Sequence, residues 1–188
     1  MRPRAAWLLT LTLTVGPFTA QGGSAVTVPE YQIKAAFIYK FSTYIRWPEA
    51  QSSDPGTPFV IGVFGKDPFG PALAEVVKGK SVQGRAVVVR NVARLEEASS
   101  CNVLFVSSSE REHLQQIIAV LHQAPVLTVG DMDQFAELGG MINLITIEEN
   151  QIRFDINKGQ IDRAGLKAPA QLLRLARIVE SRPGGGKR

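Results

Sequence analysis

Phe59-Val60-Ile61-Gly62-Val63-Phe64, followed at once by Gly65-Lys66-Asp67-Pro68, decides the fold. A short unbroken apolar run has no polar face to give to water. It reads as a strand covered on both sides, the position strands take in a parallel sheet. The turn residues lead into a helix through about Lys78, with Asp67 placed to cap it and Pro68 at its first helical position. The strand-turn-helix unit then recurs. Arg85–Asn91 and Asn102–Val106 read as strands, Ser107-Ser108-Ser109 opens a helix to about Gln123, Pro125–Val129 is a fourth strand, and Met132–Leu138 is a short helix.

The pattern changes after Gly139-Gly140. Met141–Ile147 and Gln151–Ile156 flank Glu148-Glu149-Asn150, the spacing of a β-hairpin. Asn157 begins a turn, and a last helix starts at Ala168 or Pro169 with Leu172, Leu173, Leu175, Ala176 and Val179 toward the core. Alternating strands and helices followed by a hairpin imply an α/β single layered domain. Its sheet is mixed, with a flavodoxin-like parallel start, a C-terminal β-hairpin and helices on both faces.

Upstream of the first strand, Tyr31 to Trp47 reads as a helix that Pro48 stops. Ile33, Ala36, Phe37, Phe41, Tyr44 and Ile45 form one apolar face, and Tyr31, Ala35, Ile38 and Tyr39 form a second strip. A helix apolar on two sides needs cover on two sides, either from the sheet and another helix or from a partner protein. Gln51 to Pro58 is a polar linker.

The N-terminus reads as an export signal. Arg2 and Arg4 precede an apolar run from Ala5 to Val15, and Gly23 and Ala25 are the small residues before a cut. The run is about half the roughly 20 residues of a membrane span. Residues 1–25 are therefore the expected signal peptide, 26–180 the α/β domain and 181–188 a disordered basic tail. In a two-membrane bacterium the product is periplasmic, where no ATP or NAD pool exists. Removing Arg2, Arg4, Arg182, Lys187 and Arg188 from the 21 basic residues leaves 16 against 17 acidic ones. That body lacks the basic face that nucleic-acid binding requires. Cys101 is the single cysteine, so it forms no internal disulfide.

Catalytic constellations are hard to find. Ser109-Glu110-Arg111-Glu112 is a capping box, and no Gly-x-Ser-x-Gly elbow lifts a serine out of a sheet. His113 and His122 are nine residues apart on one helix and point to opposite sides, so they share no metal. Gly62-x-x-Gly65 lacks the three-glycine dinucleotide spacing. These patterns call for no cofactor and no metal. The positive signal is a crevice. The loops after the first, third and fourth strands rise together at one sheet edge, and Gly65, Asp67, Ser107, Ser108 and Asp131 are the candidate residues to line it.

Taken in order, the landmarks resemble one family. They are Glu30-Tyr31-x-x-Lys34-Ala35-Ala36-Phe37, Trp47-Pro48, Gly65-Lys66-Asp67-Pro68-Phe69-Gly70, Gly84-Arg85 and Cys101-Asn102-Val103-Leu104-Phe105. Val126 to Asp131, Phe135 with Gly139-Gly140-Met141-Ile142, Phe154-x-Ile156-Asn157, Ala164-Gly165-Leu166 and Leu172-Leu173-x-Leu175-Ala176 follow. The chain is similar in this respect, from Val28 to about Val179, to the YfiR family of periplasmic proteins, of which HmsC is a relative. The resemblance implies a non-enzymatic repressor that binds the periplasmic sensor domain of an inner-membrane, YfiN-like diguanylate cyclase. It implies lower cyclic-di-GMP and less biofilm, sequestration by a YfiB-like outer-membrane lipoprotein, and a homodimer. Well-known members carry several disulfide-forming cysteines; this chain has only Cys101. Phe37, Tyr39, Phe41 and Tyr44 of the first helix and Phe69 are the candidate partner contacts. The alternative reading is a small-ligand module feeding a membrane sensor kinase.

Overall fold

The computed structural model describes residues 30–48, 56–148 and 151–182. The expected signal peptide, residues 51–55 of the linker, the hairpin tip at 149–150 and the tail from 183 onward lie outside the described residues. The strands are β1 (Phe59–Phe64), β2 (Ser81–Val82), β3 (Arg85–Val92), β4 (Val103–Val106), β5 (Leu127–Gly130), β6 (Ile142–Glu148), β7 (Gln151–Ile156) and β8 (Arg177–Ile178). The helices are α1 (Glu30–Tyr44), α2 (Ala72–Val77), α3 (Leu114–Leu121), α4 (Lys158–Arg163) and α5 (Ala170–Leu173).

One sheet runs in the order β2-β3-β1-β4-β5-β6-β7-β8. Strands β3, β1, β4, β5 and β6 are parallel. β7 is antiparallel to β6, and β8 is parallel to β7. The five parallel strands therefore follow the flavodoxin-like order, and the hairpin extends the sheet as expected. Side chains alternate across it with period two. Phe59, Ile61, Val63, Phe105 and Val129 pack with Ile38 and Phe41 of α1 and Leu73 of α2. Val60, Leu104 and Val106 pack on the other face with Leu114, Ile117 and Leu121 of α3. The continuous apolar run of β1 is the signature of this double burial.

Several local expectations are corrected. Helix α1 ends at Tyr44, not Trp47, because Arg46 and Lys167 exchange backbone hydrogen bonds at 3.0 Å, which no helical residue could do. Its buried strip is Lys34, Ala35, Ile38, Phe41 and Ser42, while Ala36 and Tyr44 of the expected face are exposed. Asp67 does not cap a helix: its carboxylate accepts from the Phe69 backbone at 2.8 Å in a local turn, and α2 starts only at Ala72. The Ser109 capping box does not form. Ser107 is the cap of a 3-10 turn over Ser108–His113, and the Ser109 hydroxyl accepts from the Lys66 backbone across the crevice at 3.0 Å.

Residues 132–138 make successive turns rather than a helix, with Gln134 held at a φ of 63° that interrupts helical geometry. Asn157 caps α4, accepting from the Gln160 backbone at 3.1 Å. The last helix stops at Leu173, because the chain then extends to pair with β7, where Arg177 grips the Asp155 carboxylate at 2.8 and 2.5 Å. Leu175 is consequently 76% exposed instead of facing the core. Ser181 and Arg182, expected in the loose tail, are tied down. The Arg182 backbone donates to Glu137 at 2.9 Å, and the Ser181 hydroxyl accepts from Asn157 and Gln160 at 2.9 and 2.8 Å.

Cys101 is buried, and a Cβ built on Gly62 would lie 2.6 Å from its sulfur. The glycine in β1 thus makes room for the thiol, whose pKa burial pushes up. Alkylation of Cys101 by iodoacetamide is expected to be slower in native buffer than in denaturant by on the order of a hundredfold or more. Equal rates would place the thiol at the surface.

Candidate functional site

A parallel sheet brings the loops after its strands to one edge, because every strand ends there. The first turn of α1 crosses this edge and places Glu30, Tyr31 and Lys34 over the end of β5. The Lys34 ammonium lies 2.8 Å from Asp131 Oδ2 and 2.5 Å from Glu30 Oε1. The Tyr31 hydroxyl donates to the same Asp131 oxygen at 2.9 Å, and the Thr146 hydroxyl of β6 donates to Glu30 at 2.6 Å. The side chains of Lys34 and Asp131 are each 4% exposed. A buried lysine beside a buried carboxylate satisfies the rule that charge leaves water only when paired. The group borders a cavity of about 300 Å³, which Ser108 and Asn143 also line.

The field of this cluster shifts its members in opposite ways. Hydrogen bonds from Lys34 and Thr146 hold the Glu30 carboxyl below its ordinary pKa. Burial first, then the Asp131 charge and the hydrogen bond to it, push the Tyr31 hydroxyl above its ordinary pKa. A raised folded-state pKa means that Tyr31 contributes fully below its unfolded pKa of about 10 and loses that contribution as pH rises beyond it. For Glu30 the contribution is present above its unfolded pKa and fades as pH falls through the depressed folded value. Thermal unfolding between pH 9 and 11 should therefore show a steeper alkaline loss in the native protein than in Tyr31→Phe. Parallel curves would remove Tyr31 from the cluster's energetics.

Of the five residues expected in the crevice, Ser108 and Asp131 line the cavity. The other three build the turns around it. Gly65 has a φ of 89°, and a Cβ there would meet Ser109 Oγ at 2.5 Å. Asp67 is engaged with Phe69, and Ser107, which is buried, accepts from the Ser109 backbone at 3.4 Å. Of the expected partner contacts, Phe41 and Phe69 are buried core residues. Phe41 packs on Phe154 at 5.1 Å, and Phe69 stacks edgewise on Phe105 at 4.7 Å. Phe37 and Tyr39 are half-buried, and Tyr44 is 45% exposed.

Sequence reasoning missed Glu30, Tyr31, Lys34, Asn143 and Thr146 as site residues. A signal for three of them was present. Lys34 interrupts the apolar strip of Tyr31, Ala35 and Ile38, one turn after Glu30, and a lysine on a buried strip demands a partner.

Other landmark residues serve the scaffold. The Arg85 guanidinium is buried at the opposite sheet edge, donating to the Pro58 carbonyl at 2.7 Å and Asn102 Oδ1 at 3.1 Å. Asn102 Oδ1 also accepts from the Val60 backbone at 2.9 Å.

Fold and site together define an open, doubly wound α/β domain with an ion-paired cavity at its carboxyl edge. The chain belongs to the YfiR/HmsC-like family, whose model matches residues 31–177. That family is regulatory rather than catalytic in kind. No curated protein sequence matches the chain significantly. Among solved structures, a conserved domain protein from Vibrio cholerae is 14% identical with a TM-score of 0.52, over 79% of this chain and 60% of the other. This likeness shows the fold. The L-Trp complex of an ABC domain from Streptococcus pneumonia is 11% identical with a TM-score of 0.47, over 64% of this chain and 55% of the other. The open form of CD0873, a substrate binding protein from Clostridium difficile, is 10% identical with a TM-score of 0.46, over 66% and 55%. The chain thus spans 55 to 60% of the length of these structures. Among the described residues, no helix is long and apolar enough to cross a membrane.

Proposed function

We propose that the protein is a periplasmic repressor that binds the sensor domain of an inner-membrane diguanylate cyclase and holds the enzyme off. The observation that carries this reading is the family match over residues 31–177, almost the whole described domain. Binding lowers cyclic-di-GMP and with it biofilm formation, and a YfiB-like outer-membrane lipoprotein relieves the block by competing for the repressor, which acts as a homodimer. Turning a two-state switch from mostly on to mostly off takes about 5.5 kcal/mol of preference for the inactive state. An interface of about 1,600 Å² is large enough to supply it. Tyr44, the exposed aromatic of α1, is the surface residue we assign to the partner, since exposed aromatics are frequent anchors of such interfaces.

The test is co-purification with an inner-membrane diguanylate cyclase of the same organism, together with cyclic-di-GMP in cells that carry both. Recovery of the cyclase and a fall in cyclic-di-GMP are expected. Tyr44→Asp should weaken recovery by about tenfold or more without changing thermal stability, because Tyr44 is not a core residue. No recovery of the cyclase, with cyclic-di-GMP unchanged, would sink the reading.

A further inference from the structure

We propose that the cavity beside Lys34 and Asp131 binds a small organic cation bearing N–H donors, of the primary amine or amidine class. The cavity sits where an open α/β sheet places ligands, outside the carboxyl ends of its strands. Its volume of about 300 Å³ is at the lower end of small-molecule sites.

The ligand class follows from what the walls leave unmatched. Glu30 and Asp131 share a single lysine, so this part of the lining carries one net negative charge, while Asp133 at the rim is exposed and lies 3.9 Å from Arg111. Both hydrogen bonds to Asp131 fall on Oδ2, and Oδ1 accepts none among the described residues. Asn143 is 3% exposed, lines the cavity, and its Oδ1 has no hydrogen-bond partner among the described residues. A buried polar atom without a partner is costly, and native structures rarely leave one so. The fully buried atom of the lining that is left unmatched is thus an acceptor, and it stands in a negative field, which calls for a positively charged donor. An anion would be repelled by Glu30 and Asp131, and two of the three Lys34 ammonium protons already serve those carboxylates.

The backbone favours the same place. β5 pairs with β6 only at Ile142 and Asn143, whereas β6 continues to Glu148 along β7. Beyond Asn143 the β5 side of β6 has no neighbouring strand among the described residues, so its peptide groups there are open to a bound molecule. Ser108 adds a hydroxyl on the opposite wall.

The test is a titration of the isotope-labelled protein with ethanolamine and with acetamidine, with ethylene glycol and acetate as neutral and anionic controls. Saturable movement of the Asn143 side-chain amide resonance by the two cations, and by neither control, is the expected result. Asp131→Asn, which keeps the shape and removes one charge, should weaken cation binding by about tenfold or more. If that variant fails to fold, the native titration decides alone. Absence of saturable binding, an equal response to glycol or acetate, or undiminished affinity in a folded Asp131→Asn would each overturn the proposal. The measurement needs no second protein, so its outcome is separate from that of the cyclase experiment.

Discussion

Replacing Lys34 by alanine is expected to cost about 3–5 kcal/mol of folding stability, among the largest losses a single substitution in this chain can cause. The ammonium and the Asp131 carboxylate are both withdrawn from water at 4% side-chain exposure, 2.8 Å apart. Removal of the lysine leaves Asp131 buried with only the Tyr31 hydroxyl donating to it. The penalty is that uncompensated charge, not the intrinsic worth of the ion pair, which desolvation largely cancels. A second substitution separates the two. In Lys34→Ala combined with Asp131→Asn the stranded charge disappears, while the neutral amide in place of the carboxylate still accepts from Tyr31. More than half of the lost stability should return, a coupling that a double-mutant cycle measures directly. In thermal unfolding the single variant should melt on the order of 10 °C below the native protein. A loss within about 1 kcal/mol would show that water reaches the pair.

Phe135→Ala is the second large effect, expected at about 3–5 kcal/mol. The Phe135 ring is fully buried and sits against two glycines. A Cβ on Gly140 would lie 2.2 Å from its Cε1, and one on Gly130 would lie 2.7 Å from its Cδ2. The ring belongs to the face that holds Leu104, Val106 and Leu114. It also fixes the turns over residues 132–138, which have no helical hydrogen-bond ladder of their own. The cavity left by alanine cannot be filled by Gly130 or Gly140, which carry no side chains. Gly140→Ala tests the same packing from the other side. It should destabilise by about 1–3 kcal/mol or more through overpacking, and Phe135→Leu in that background should recover part of the loss. Urea unfolding of the three variants checks both claims. Independent, additive effects would mean that the ring and the glycines do not share a contact.

These two sites show where sequence reading stops. Gly139-Gly140 reads locally as the end of a helix, because glycine after an apolar periodic segment is the usual signal for one. The structure uses Gly140 for a close approach between segments, information that a local pattern does not carry. Lys34 escapes local reading for a related reason. The charge that answers it, Asp131, is 97 residues away in the chain. Asp67 and Ser109 have the composition of helix caps, but each side chain finds a nearer partner, the Phe69 backbone and the Lys66 backbone respectively.

What the sequence determined by itself is the layered α/β architecture. Unbroken apolar runs at β1 and β4, and the turn residues that punctuate them, leave few ways to cover both faces of each strand. Those constraints are local in the chain, so order and hand follow from them. Tertiary structure alone decided the short β8, which pairs with β7 and sets Arg177 against Asp155, and the cavity, where α1, β5 and β6 meet. Both depend on side chains brought together from distant segments, and their energies exist only once the sheet has closed around them.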